Sequence, residues 1–137
     1  MTKNQPTQKF QSTGKKKTSV ASVTLTNAKE GSFVINKRSS NNYFQGQDLY
    51  ESLSLSPLVA AGLDTNSFSI IVKACGGGLV SQATSIRHAI AKIVSEMFPE
   101  KREIVKKLGF LTRDSRIVER KKPGLRKARR KEQFSKR

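Results

Sequence analysis

Tryptophan is absent, histidine and cysteine occur once each, and only ten acidic residues stand among 137. Each scarcity removes a class of function. A single cysteine, Cys75, cannot form an internal disulfide, and with the lone His88 it supplies no metal-ligand set. The acids are scattered singly, so no paired carboxylates are available for acid–base catalysis or for holding a metal. No enzymatic activity, cofactor, metal or small-molecule substrate is expected. No apolar run nears the ~18 residues that would span a bilayer, so no membrane partner is expected either. The opening residues, Met1-Thr2-Lys3-Asn4-Gln5, have neither the apolar stretch of a secretory signal nor the arginine-rich look of an imported precursor. The expected setting is a reducing one: a bacterial cytoplasm, or the stroma of an organelle that encodes the protein, such as a plastid.

Positive charge is what the chain has in excess. Its 27 lysines and arginines give a formal charge of +17, and the excess is uneven. Residues 112–137 hold twelve cations against three acids, and the first nineteen residues hold five lysines and no acid. Apart from Ile117, Val118, Leu125 and Phe134 the final segment has no large apolar side chain, so it cannot build a core of its own. A solvated face usually intermixes both signs; here twelve cations meet three acids. Its arginines suit bidentate contacts to phosphate, and the whole pattern is the electrostatic footprint of a nucleic-acid binder. If eight of its cations neutralised RNA phosphates, log K would fall with log salt at a slope of roughly −6 to −7. Pro123-Gly124 interrupts any helix, so the segment reads as partly extended.

The rest has the length for one domain. Residues 1–14 are polar and read as a lead-in. Ala21, Val23 and Leu25 alternate with Ser22, Thr24 and Thr26, the period of a half-buried strand. Beyond the turn Asn27–Gly31, Phe33 and Ile35 alternate again, which predicts a hairpin with the first strand. Asp48 is placed to cap a short helix bearing Leu49, Leu53 and Leu55, with Pro57 ending it or starting the next element. Phe68–Val72 reads as an interior strand. Ala83, Ile86, Ile90, Ile93, Val94 and Met97 then paint one face of a helix from about Gln82 to Phe98. A second helix, about Glu100 to Leu108, turns Ile104, Val105 and Leu108 inward and stops at Gly109. Strands first and helices after describe an α/β sandwich, a small mixed sheet with helices on one face.

Three features invite chemistry, and each has a plainer explanation. Gly76-Gly77-Gly78 lies between strand and helix, where backbone amides often cradle phosphate, but it lacks the Lys-Ser/Thr of a P-loop and the spacing of a dinucleotide fingerprint. It is read as a close strand–helix passage. His88 lies off the apolar stripe with no nucleophile or carboxylate partner, and is read as a helix-surface histidine. Cys75 is read as a small buried hydrophobe.

The order of motifs in the last third carries a family likeness. Leu111-Thr112-Arg113-Asp114-Ser115-Arg116, Glu119-Arg120-Lys121-Lys122-Pro123-Gly124, Lys127-Ala128-Arg129-Arg130 and Gln133-Phe134-Ser135-Lys136-Arg137 resemble the C-terminal signature of small-subunit ribosomal protein nine. Thr13-Gly14-Lys15-Lys16-Lys17, Tyr43-Phe44, Pro57-Leu58, the glycine triplet and Gln82-Ala83 are similar to that family's earlier motifs. The sequence departs from the pattern at Ser81, at Lys15-Lys16 in place of two arginines, and at Lys131-Glu132.

The resemblance implies a two-layer α+β fold, a mixed four-stranded sheet with two main helices on one face, like the second domain of ribosomal protein five. It divides the chain into a flexible arm (1–12), a globular RNA-binding domain (13–111) and an extended basic tail (112–137). It implies a structural role in the small-subunit head, beside neighbouring head proteins. Ribosomal RNA would be contacted by Lys15, Lys16, Lys17, Arg113, Arg116, Arg120, Lys121, Lys122, Arg126, Lys127, Arg129 and Arg130, and peptidyl-site tRNA by Lys136 and Arg137. The competing readings are a free basic nucleic-acid chaperone or regulator, which needs no ordered tail, and a phosphotransferase, which needs a nucleotide loop the sequence does not have.

Overall fold

In a computed structural model, which describes residues 8–135, the alternation at Ala21, Val23 and Leu25 is the inward face of strand β2 (Ser19–Asn27), and all three side chains are fully buried. Strand β1 (Lys9–Lys16) pairs with it antiparallel, placing Gly14 opposite Ala21 and Lys15 opposite Val20. Residues 9–14 are therefore sheet rather than lead-in. The inward row of β1 is Phe10, Ser12, Gly14 and Lys16, with a single large apolar member, so no apolar period marks it. Position 14 must be glycine for a steric reason: a Cβ there would stand 1.9 Å from the carbonyl oxygen of Ser85.

The expected hairpin between β2 and β3 (Ser32–Ile35) does not form. Strand β5 (Phe68–Cys75) lies between them, antiparallel to β2 and parallel to β3, in the order β1-β2-β5-β3-β4. This position shelters both edges of the strand with the fullest inward row, Phe68, Ile70, Val72 and Ala74, all buried. A β2–β3 hairpin would leave that row at an edge. The sheet has five strands instead of four because the two-residue β4 (Arg38–Ser39) closes a tight turn with β3. Asn36 (φ 48°) and Lys37 (φ 66°) make that turn. The Asn36 carboxamide extends the parallel ladder, donating to the Ala74 carbonyl at 2.8 Å and accepting from its N–H at 3.0 Å.

After the one-turn α1 (Ser40–Tyr43), helix α2 runs Asp48–Ala60 with Pro57 inside it, buried, not at either end. Proline has no N–H to offer the carbonyl four residues back. Here the Ser56 hydroxyl donates to that carbonyl, Leu53 O, at 2.8 Å, which lets the helix continue. Helix α3 (Leu79–Met97) begins three residues before the expected start, lies across β1 and β2, and is flanked by α2. Beyond the turn Pro99–Lys101, helix α4 (Arg102–Lys107) buries only Val105; Ile104 and Leu108 are exposed, contrary to the inward placing, and Gly109 (φ 75°) stops the helix as its position implies. The architecture is a mixed α+β sandwich.

Candidate nucleic-acid interface

The pleat of β1 separates the three consecutive lysines. Gly14 faces the helices, so Lys15 points to the open face of the sheet and Lys16 to the helix side. Lys17 sits in the two-residue turn before β2 with φ 51°. Lys15 shares the open face with Lys9 on its own strand and Lys73 on β5. Lys73 is a cation the sequence reading passed over, since it stands alone in an apolar strand.

Lys16 does not stand free. Its ammonium pairs with the carboxylate of Asp114, and Asp114 also accepts from the Arg116 backbone N–H at 3.0 Å and from its guanidinium at 3.0 and 3.1 Å. Hydrogen bonds from Arg116 and then Lys16 hold the Asp114 carboxyl far below the ordinary carboxylate range, and the same contact raises Arg116. Just upstream, the Arg87 guanidinium lies 5.2 Å from the centre of the Phe110 ring, a cation–π contact. His88 Nε2 donates to the Leu111 carbonyl at 3.3 Å. Residues 110–116 are thus moored to α3 and β1 at three points.

That mooring corrects the reading of His88 as a surface residue. It is 8 % exposed because α3 is covered on more than one side, by the sheet, by α2 and by the segment around Leu111. Burial first, then Lys92, Arg113 and Arg87, push its pKa below the usual 6.5, with the Leu111 carbonyl acting in the opposite sense. A neutral ring donating from Nε2 leaves Nδ1 as acceptor, and that atom is buried without a partner. Lys92 also donates to the Thr13 carbonyl at 2.9 Å. Arg87 and Lys92 escaped the sequence reading because each is isolated along the chain; only folding brings them to the tail's root.

Among the described residues no helix or strand follows Lys107. The tail is not fully drawn out: Lys122-Pro123-Gly124-Leu125 form a turn, with Gly124 at φ 75° and Leu125 N–H donating to Lys122 O at 3.3 Å. Glu119 gathers Lys122 (3.0 Å) and Arg129 (2.9 Å), and Glu132 lies 3.7 Å from Arg126. The tail's three acids are therefore each taken up by cations of the chain itself. Arg113, Arg120, Lys121, Lys127, Arg130 and Lys131 are exposed and, among the described residues, in no ion pair. Lys136 and Arg137 lie outside the described residues.

The glycine turn is structural. A Cβ on Gly76 (φ 72°) would stand 2.5 Å from the Thr18 carbonyl oxygen, and Gln82 donates to the Gly76 carbonyl at 3.1 Å while accepting from the Tyr43 hydroxyl at 2.7 Å. Cys75 is exposed rather than buried, because it falls on the outward-facing row of β5. No group of acids, His and Cys able to hold a metal occurs among the described residues.

Fold and surface together define an α+β module carrying a moored, cation-rich tail. The family model described as ribosomal protein S9/S16 matches residues 14–137, and the chain belongs to that family. It is a ribosomal protein of the plastid and bacterial type, structural and not enzymatic. It is 48% identical over 124 residues to the small ribosomal subunit protein uS9c of Phaeodactylum tricornutum, covering 90% of this chain and 88% of that protein. It is 46% identical over 125 residues to uS9c of Spinacia oleracea, covering 91% of this chain but spanning only 59% of that longer relative. A cyanobacterial relative, uS9 of Cyanothece sp., is 45% identical over 125 residues, covering 91% of this chain and 90% of the relative.

Proposed function

We propose that this chain is a structural constituent of the small-subunit head that binds ribosomal RNA through its basic surfaces and reaches peptidyl-site tRNA with its last two residues. One observation carries the reading: with all three tail acids paired internally, a set of exposed cations is left with no ion-pair partner among the described residues. Such a set is satisfied by phosphates, and binding would release their condensed counterions. The names of the relatives, all small ribosomal subunit proteins, favour ribosomal RNA as the source of those phosphates. Lys15, Lys17, Arg113, Arg120, Lys121, Lys127 and Arg130 make the direct contacts in this reading. Lys16 and Arg116 set the direction in which the tail leaves the body, while Lys122, Arg126 and Arg129 exchange a carboxylate for a phosphate on binding. Lys136 and Arg137 extend to the tRNA.

The deciding experiment is sedimentation with small subunits across a salt series. Co-sedimentation released only at high salt is expected; recovery solely in the free fraction overturns the proposal in favour of a free nucleic-acid chaperone. Removal of Lys136 and Arg137 should leave subunit assembly intact and quicken tRNA loss from the peptidyl site. Unchanged tRNA off-rates in such ribosomes would refute the tRNA contact alone. Removal of residues 112–137 should impair incorporation as well.

A further inference from the structure

Positions 39–72 contain no lysine, arginine or histidine, yet hold Asp48, Glu51 and Asp64. In a chain with 27 cations this stretch is a local reversal of charge. It folds as α1, α2 and the approach to β5, and along the outer side of α2 runs a groove of about 760 Å³. Leu55, Val59 and Phe110 line it with apolar surface, and Asp48 and Glu51 are the charged groups at its edge. A smaller recess sharing Glu51, Leu55 and Thr65 continues it, and neither is lined by a cation. Val59 is 65 % exposed and Leu49, on the same helix, 74 %.

We infer that this groove docks a segment of another protein whose chemistry is apolar and basic: aliphatic or aromatic side chains for the floor, lysine or arginine for the rim. The inference rests on the small-subunit reading above and adds to it which face meets protein and which meets RNA. RNA is a poor occupant, since phosphates would face two carboxylates and find no cation in the lining. An apolar floor with an acidic rim instead complements a segment of a second basic protein in both hydrophobicity and sign. Phe110, part of the floor, is also the residue over which Arg87 holds the tail's root, so groove and tail share one wall.

The test replaces Ser52, an exposed residue of the groove wall, with a photo-cross-linking amino acid in the full chain, assembled into small subunits and irradiated. Cross-linked products are identified by mass spectrometry. The expected product is a lysine- or arginine-bearing peptide of another ribosomal protein. Asp48→Lys with Glu51→Lys should lower its yield about tenfold while binding of the chain to naked ribosomal RNA holds or strengthens. Cross-links to RNA, cross-links to an acidic peptide, or none in particles that contain the chain would each overturn the inference and leave the proposed function standing. Failure of the Ser52 variant and the unsubstituted chain alike to enter particles would instead overturn the proposed function, and this inference with it. If only the variant is excluded, Val59→Asp in the unsubstituted background decides: loss of one neighbouring protein from the particle supports the docking, and full protein complement refutes it.

Discussion

Lys16 in the first strand and Asp114 beyond the last helix form an ion pair across 98 positions of sequence. The contact ties the root of the tail to the first strand, and it places one of the three consecutive lysines in an ion pair. Because Asp114 sits well below its ordinary pKa, the pair's stabilisation is fully present above the unfolded value of ~3.9 and disappears only as pH falls through the lower folded value. Acidification to about pH 4.5 should therefore leave the mooring intact, whereas Asp114→Asn should release it at neutral pH. Protease cleavage after Arg113 and Arg116 in the free protein reads this out: no faster at mild acid than its general rate predicts, but faster in the variant.

His88 follows the same sign in a higher pH window. Its folded pKa is lowered, so its contribution is complete above the unfolded value of 6.5 and is lost as pH falls through the folded one. Between about pH 7.5 and pH 5.5 the wild-type melting temperature should fall. His88→Gln, which can still donate to Leu111, should flatten that dependence over the same interval. An unchanged slope would refute the assignment.

Gly14→Ala should be among the most damaging small substitutions in the chain. The added methyl meets backbone, not a flexible side-chain end: Ser85 O at 1.9 Å and Ala89 N at 2.8 Å. Either β1 or α3 must shift, at a cost of about 1–3 kcal/mol or more, visible as a lower denaturation midpoint with little change in m-value.

Paired and unpaired cations of the tail should separate in a salt titration of RNA binding. Changing Arg120, Lys121, Lys127 and Arg130 together to glutamine should reduce the slope of log K against log salt by about 3. Changing Lys122 and Arg129 should cost less per residue than those four, because each already holds Glu119 and must give it up to bind phosphate. Equal loss per residue in the two sets would show that the internal pairing does not matter for binding.

Asn36→Ala should also destabilise, since it removes two hydrogen bonds to Ala74 and places a less tolerant residue at φ 48°. A cost of about 1–3 kcal/mol is expected in chemical denaturation.

Local pattern sufficed where a residue's role depends on its near neighbours. The alternation of β2, the stripe of α3, the stop at Gly109 and the cationic tail were all legible, because period and charge density are properties of short stretches. So was the structural reading of the glycine turn, since the residues of a phosphate loop were visibly missing. Pro57 defeated the local rule for helix ends because a serine hydroxyl beside it serves the carbonyl that proline cannot.

What the chain alone determined is its charge, its family signature and the faces of its longest elements. Tertiary structure decided the rest: that β5 enters between β2 and β3, that His88 is covered and Cys75 bare, and that Arg87, Lys92 and Lys16 converge on the base of the tail. Strand order and burial depend on which distant surfaces meet, and the energy of that meeting resides in no single stretch of residues. The paired acids of the tail make the same point, because only the folded path shows which cations are already occupied and which are left for a partner.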